Sequence, residues 1–441
     1  MTVFVLLLLL PTVTSQAEDP AVFKVRWNVP TIQCLKTYGI DFVPLLRSYG
    51  ILVNNGDEFR GGVNTIFYES QLGLYPHLNQ TDYPVNGGIP QLGDLSAHLK
   101  KSRQDIDKII PDVQFTGLGI IDWESWRAVW DFNWGTLKKY REESFRAARD
   151  QHPDWTNSSL LKSAQEEWET SAKNYMLKTL QLAQMMRPQA LWCYYLYPDC
   201  YNYKGQTPQE FECPPIVIKG NNQLSWLWDE IKAVCPSLYV VGGYLEKYSF
   251  DQRTWYVNGR LQEALRVAPN SQLYPYIGYG YGITPGAMVP KDDFWRILAQ
   301  VASAGSSGAV IWGASVTLRS NSHCKLLETY VKNILGPAVS TIKGNAEHCA
   351  KTVCSGMGRC TWPNDSDVVA WKVYLGKRTS FQKDEITCRC VKGFEGRYCD
   401  MKVRPTNDLQ SRSNLKLSNS VSDFFSYLSK LLDKQNAPVL P

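Results

Sequence analysis

Long hydrophobic runs are almost absent from this chain of 441 residues. The longest, Val3–Leu10, is too short for a bilayer. Nowhere else does a stretch approach the roughly 18 apolar residues that a membrane helix needs. Small residues follow it, so Met1 to about Ala17 reads as a secretory signal peptide, although its first residues lack the usual basic charge. Basic clusters are missing too. The formal net charge of +5 is mild, which speaks against a nucleic-acid partner and is compatible with a polyanionic one without establishing it. The C-terminus lacks the continuous apolar end that a lipid-anchor signal requires. Cysteine, by contrast, is plentiful: there are twelve, and a secreted chain keeps such residues in disulfides. The glycosylation sequons at Asn79, Asn157 and Asn364 agree with that compartment. The expectation is a secreted protein, extracellular or lysosomal, monomeric, with no metal or cofactor.

Short apolar, β-branched runs recur along the chain, with helical stretches between several of them. Strands are expected at Val22–Trp27, Ile51–Asn54, Thr65–Tyr68, Gly117–Asp122, Leu191–Tyr197, Tyr239–Gly242, Leu273–Tyr279 and Ala309–Trp312. The clearest helix covers Leu160 to Met186: Ala164, Trp168, Ala172, Met176, Leu180 and Ala183 keep the helical period, and Pro188 marks the stop. This alternation predicts an α/β fold, most simply a TIM-like (β/α) barrel over residues 18–340. Weak helix signals between the first three strands predict that its closure is distorted. Six cysteines then crowd into residues 345–400, a small disulfide-rich module with too little core to fold without bridges. Residues 401–441 are rich in Ser, Asn and Lys and read as a flexible tail. Within it Val421, Phe424, Phe425, Leu428, Leu431 and Leu432 have the spacing of a short amphipathic helix.

One strand ends in chemistry. The run Phe115–Ile121 stops at Asp122-Trp123-Glu124. Residues i and i+2 of a strand share a face, so two carboxylates are expected side by side where a buried strand emerges. Adjacent carboxylates repel, and one then keeps its proton near neutral pH. Cleavage of a sugar acetal needs such a pair, one group to protonate the leaving oxygen and another to stabilise positive charge. A bare Asp-x-Glu is more often two solvated acids. Trp123, Trp126, Arg127, Trp130 and Trp134 around it shift the balance, because indole faces stack on sugars, although the same tryptophans also serve as ordinary core. Other strand ends carry polar and aromatic residues as well: Asn28, Tyr68, Tyr195 with Asp199, Tyr239 and Trp312. In a barrel that is the end where active sites lie.

The segment Gly117–Arg127, followed by Asn133-Trp134-Gly135, closely resembles the animal hyaluronidases. So do Trp27–Thr31, Ile66–Tyr68 with Leu72–Pro76, Tyr194–Asn202, Asn222–Trp228, Ser237–Tyr239 and Gly308–Gly313, in the same order from about residue 21 to 400. The resemblance implies a distorted (β/α) barrel followed by an EGF-like module with a long insertion. It implies the disulfides Cys34–Cys324, Cys200–Cys213, Cys349–Cys360, Cys354–Cys388 and Cys390–Cys399. Cys193 and Cys235 depart from the family, which has Gly and an aromatic residue there; an extra bridge and two buried thiols both remain open.

The same resemblance implies hydrolysis of hyaluronan at its N-acetylglucosaminide bonds, with Glu124 as proton donor. No second carboxylate is placed by sequence as a nucleophile, and the family's answer is attack by the sugar's own acetamido carbonyl, with Asp122 orienting that group and offsetting its charge. Tyr195 and Tyr239 would hydrogen-bond the acetamido or nearby hydroxyls, and Trp312 would wall its methyl. Tyr68, Arg127, Asp199, Tyr201, Arg260 and Asn28 complete the implied substrate-binding set. Arg260 would orient site residues or meet a uronate, and Arg127 would hold Glu124. The competing readings are a chondroitin-preferring hydrolase with the same machinery, and a catalytically weak hyaluronan-binding or adhesion protein. The Gly- and Tyr-rich stretch Gln272–Gly282 departs from the family and is expected to shape subsites.

Overall fold

The computed structural model describes residues 21–240, 247–280, 286–361, 374 and 386–403. The expected signal peptide, the tail beyond residue 403 and the sequon at Asn364 lie outside them; Met401–Lys402, expected in the tail, instead pair antiparallel with Phe394–Glu395. The apolar runs line up in parallel. β1 (Lys24–Asn28), β2 (Asn64–Tyr68), β3 (Leu118–Asp122) and β4 (Leu191–Tyr194) come from the first half of the chain. β5 (Ala233–Val234), β6 (Gln272–Leu273), β7 (Tyr276–Gly278) and β8 (Gly308–Trp312) follow. Parallel pairing runs β2-β3-β4 in one sheet and β1-β8-β7 in another, with β5 beside β6. Parallel bridges Tyr195–Cys235 and Ser237–Tyr276 link these sheets on one side, and Arg26–Leu52 extends the other. Their residues are buried on both faces, as parallel strands wrapped in helices must be.

One seam of this ring has no strand ladder. There the Asn54 side chain takes its place: Nδ2 donates to the carbonyls of Glu58 and Asn64, both at 2.9 Å, while Oδ1 accepts from the amides of Val63 (2.9 Å) and Asn64 (3.1 Å). The molecule is therefore a distorted (β/α) barrel.

Four strand expectations need correction. Ile51–Asn54 is no strand and pairs only through the single bridge at Leu52, because the Asn54 side chain and not its backbone makes the link to the next strand. Tyr239 and Val240 are not in a strand; the pairing segment lies earlier, at Ala233–Val234 with bridges at Cys235 and Ser237. High β-propensity drew the expectation to Tyr239, but a disulfide between Cys193 and Cys235 fixes the register upstream. The strand expected over Leu191–Tyr197 stops at Tyr194 because Leu196 is left-handed, φ 75°. The one expected over Leu273–Tyr279 is split at Pro275, which has no N–H to give. The long helix runs Asn157–Met186, with Thr156 Oγ1 capping the Ser159 amide and the foreseen stripe buried.

The disulfides Cys34–Cys324, Cys200–Cys213, Cys349–Cys360, Cys354–Cys388 and Cys390–Cys399 are present, and Cys193–Cys235 makes the sixth. The boundary expected at 340–345 falls inside one continuous helix, Gly336–Thr352, which leaves the barrel and carries Cys349 into the module. The module's hairpin, Gly358–Thr361 against Thr387–Cys390, touches the barrel through the Ala304–Thr361 bridge.

Behind the mouth sits His98, fully buried. Its Nδ1 accepts from the Leu74 amide (2.9 Å), so Nε2 carries the proton and donates to Thr179 Oγ1 (2.8 Å). Burial pushes its pKa from 6.5 down to about 4. An unfolded chain thus binds one more proton than the native protein between those values. The stability this neutral ring contributes is complete above pH 6.5 and declines as pH falls toward 4, by roughly 3 kcal/mol. In urea titrations across this window, His98→Gln should show a slope of stability against pH shallower by about one proton.

Candidate active site

Register brings the strand ends together. Tyr68 is the Cα partner of Asp122, and Asn28 that of Trp312. Asp122 closes β3, 8% exposed, while Glu124 two residues on is exposed at the mouth. Trp123 between them points the other way, into the layer behind the barrel. It stacks on Tyr75 at 4.6 Å and meets His98 edge-on at 5.5 Å. Trp126 and Trp130 are likewise buried core. Of the flanking indoles only Trp134 is open to solvent, at 53%.

The carboxyl groups of Asp122 and Glu124 lie within hydrogen-bonding reach of one another. Burial raises the Asp122 pKa first, and the Glu124 carboxylate raises it further. Glu124 is raised as well, by the loss of water around its carboxyl within the mouth, against the pull of the Arg127 cation. Two carboxyls so placed hold one proton between them near neutral pH. Oδ1 of Asp122 is buried and receives no hydrogen bond from a donor among the described residues.

Aromatic hydroxyls and rings continue the wall. The Trp312 indole donates to Tyr68, and Trp312 stacks on Tyr239 at 5.6 Å. The hydroxyls of Tyr239 and Ser237 donate to Tyr195, whose ring meets that of Tyr276 edge-on at 4.9 Å. Asn28, almost fully buried, lies beneath this wall and accepts from the Tyr276 hydroxyl at 3.4 Å.

A second group holds the turn that carries Glu124. Arg127 Nε donates to Asp199 at 3.0 Å, and its Nη1 to the Glu124 carbonyl at 2.9 Å. Arg127 therefore grips the Glu124 backbone rather than its carboxylate. Tyr201 donates to Asp199. The loop bearing Asp199 includes left-handed Leu196 and Tyr201, φ 75° and 55°. Such conformations persist only where surroundings over-determine them. Here the Cys200–Cys213 disulfide and the Asn221 amide, donating to the Asp199 carbonyl at 2.8 Å, do so. Arg260 stands apart from the carboxylates. Buried on the helix Phe250–Val267, it donates to Asn202 Oδ1 (3.1 Å) and the Ser237 carbonyl (2.8 Å).

Sequence reasoning missed Glu69 and Tyr276. Glu69 directly follows the Tyr68 strand end, and its Oε1 accepts from the amides of Glu124 (3.1 Å) and Ser125 (2.8 Å) and from the Ser125 hydroxyl (2.5 Å). Its charge also raises both carboxyls of the pair. Tyr276 lies in the Gly- and Tyr-rich run, yet nothing local distinguishes it from its tyrosine neighbours. Glu69→Gln keeps an acceptor for those donors and removes the charge. The pair then releases its proton more readily, so the alkaline limb of the kcat/KM profile should move down by about half to one pH unit with melting little changed.

Of the sequons within the described residues, Asn157 is exposed at a helix start, and Asn79 Oδ1 accepts from the Thr81 and Tyr83 amides in a turn. No group of residues suited to a metal ion is found among the described residues, and no described helix is long and apolar enough to cross a membrane.

The sequence profile of the hyaluronidase family matches residues 14–373. A hyaluronidase of Loxosceles intermedia is 54% identical over 384 residues, 87% of this chain and 95% of that protein. Hyaluronidase-1 of Homo sapiens is 38% identical over 344 residues, 77% of this chain and 78% of that one. Bee venom hyaluronidase, solved in complex with a hyaluronic acid tetramer, superposes with a TM-score of 0.67 at 35% identity, covering 72% of this chain and 98% of that one.

Proposed function

Because the chain belongs to the hyaluronidase family of glycoside hydrolases, we propose that it cuts hyaluronan internally at β-1,4 N-acetylglucosaminide bonds with Glu124 as acid and base. The observation that carries this reading is the pair of adjacent carboxyls, Asp122 buried at its strand end and Glu124 two residues on, at an aromatic-walled mouth. Glu124, the exposed member, gives its proton to the glycosidic oxygen as the C1–O bond breaks, then takes one from the attacking water. In the free site the two carboxyls share one proton. A substrate acetamido N–H arriving at Asp122 Oδ1 favours the charged form of Asp122 and leaves the proton on Glu124. Asp122, now charged, offsets the positive charge that grows as the acetamido oxygen attacks C1.

The other nearby carboxylates are already engaged. Glu69 is held by three donors and Asp199 by Arg127 and Tyr201. This supports a nucleophile that comes from the substrate itself. Tyr195 and Tyr239 hydrogen-bond the sugar, Trp312 packs on the acetamido methyl, and Tyr68, Asn28, Tyr201 and Asp199 shape the pocket. Arg127 and Arg260 act as positioning residues, through the Glu124 turn and through Asn202 and Ser237. The tetramer bound by the bee enzyme supports hyaluronan rather than chondroitin as the preferred polymer. The disulfides and the leader-like first residues support secretion, and we take the working form to be a monomer.

Proton NMR of a digest in progress tests the mechanism. Two displacements at C1 retain configuration, so the β-anomer should appear first. Initial release of the α-anomer rules out acetamido attack.

A further inference from the structure

Hyaluronan carries one carboxylate per disaccharide, so a mouth that cuts it gains from a cation beside the N-acetylglucosamine subsite. Arg260, expected from sequence to meet a uronate or to orient site residues, is buried and held by Asn202 Oδ1 and the Ser237 carbonyl. Arg127 is held by Asp199 and the Glu124 carbonyl. A third cation stands nearer to solvent. Arg60 is half-buried on the loop between Asn54 and Asn64, next to Phe59, whose ring lies parallel to that of Tyr68 (6.4 Å, 9°). Arg60 Nε donates to the Ile66 carbonyl at 2.8 Å, and its Nη2 donates to Gln71 Oε1. The same oxygen accepts from the Tyr68 amide at 3.2 Å. One shared acceptor thus separates the guanidinium from the strand end that lies beside Asp122. The loop is pinned by its own backbone: Asn54 Nδ2 donates to the Glu58 carbonyl, the Gly61 amide to the Asn64 carbonyl at 3.1 Å, and Thr65 Oγ1 to the Gly61 carbonyl at 3.1 Å. Arg60 forms no ion pair among the described residues, and burial lowers its pKa with no carboxylate acting to raise it. Nη1 has no protein acceptor among the described residues and is not buried. An arginine anchored on two neutral oxygens, with no countercharge and one edge open beside the mouth, matches a carboxylate.

We propose that Arg60, through Nη1, binds the carboxylate of the glucuronate next to the N-acetylglucosamine that is cut. The assignment rests on the hyaluronan reading above. It makes Arg60 a specificity residue: a uronate-bearing polymer gains a charge-assisted hydrogen bond there, and a neutral polymer of N-acetylglucosamine does not. The two neutral anchors, Ile66 and Gln71, hold the fork in place before substrate arrives, so little side-chain freedom is lost on binding.

Binding is measured on a Glu124→Gln background, where the sugar stays uncut, with a hyaluronan octasaccharide and with the same octasaccharide after its carboxylates are reduced to alcohols. Adding R60Q should weaken binding of the native sugar about tenfold and leave that of the reduced sugar unchanged. With Arg60 intact, reduction of the sugar should weaken binding by at least the same factor. Equal affinity for the two sugars with Arg60 in place overturns the proposal, and this arm stands even where R60Q fails to fold. A loss in R60Q that is as large on the reduced sugar also overturns it, since that is the pattern of an arginine that only positions Tyr68. The wild type is assayed alongside for release of reducing ends from hyaluronan. Its failure to cut the polymer overturns the hydrolase reading and the Arg60 assignment together, whereas normal cutting with either adverse binding result overturns the assignment alone.

Discussion

Glu124→Gln should lower kcat on hyaluronan by about 10²–10⁴-fold while the protein still folds and still binds the polymer. The amide has the shape of the acid but no proton to give and no basicity to activate water. Glu124 is exposed at the mouth, and its turn is held through backbone groups by Arg127 and Glu69, so the change leaves the scaffold intact. Reducing-end release reports kcat, and retention on immobilised hyaluronan reports binding. Turnover at the normal rate would remove Glu124 from the role of acid and leave the shared proton without a purpose.

Asp122→Asn should cost about 10²–10³-fold in kcat, equivalent to roughly 3 kcal/mol of lost stabilisation of the charge on the acetamido group. The effect on stability should have the opposite sign. A carboxyl whose pKa is raised by folding favours the native state at low pH, and its contribution is lost as pH rises through the raised value. Replacing it with a neutral amide removes that loss, so the variant should melt higher than the wild type at neutral and alkaline pH. Lost activity combined with gained stability marks a group kept for chemistry. A variant that lost both would identify Asp122 as a structural acid instead.

The parts of the molecule legible in sequence were those set by local pattern. The helical stripe from Ala164 to Ala183, the β-branched approach to Asp122 and the polar strand ends at Tyr68 and Trp312 each announce themselves within a few residues. What stayed hidden depends on partners far along the chain. Cys193 and Cys235 are 42 residues apart, and only strand neighbourhood decides that they bridge. Glu69 is 55 residues from the amide it holds. An acid after a tyrosine is unremarkable until β2 lies beside β3. The shift of the pairing segment from Tyr239 back to Ala233 has the same origin, since propensity identifies residues that suit a strand and register decides which of them are used.

Asn54 gives the barrel a directional softness. Where ladders run, parting two strands means breaking a row of backbone bonds, whereas at this joint the side chains of Asn54 and Arg26 stand between them. One lip of the joint leads up to Asn28 and Trp312, the other to Tyr68 and Asp122. Parting this joint would spread the two flanks of the cleft. A thick, hydrated polymer can thus be admitted and let go without disturbing the rigid pairing that keeps the two acids in place.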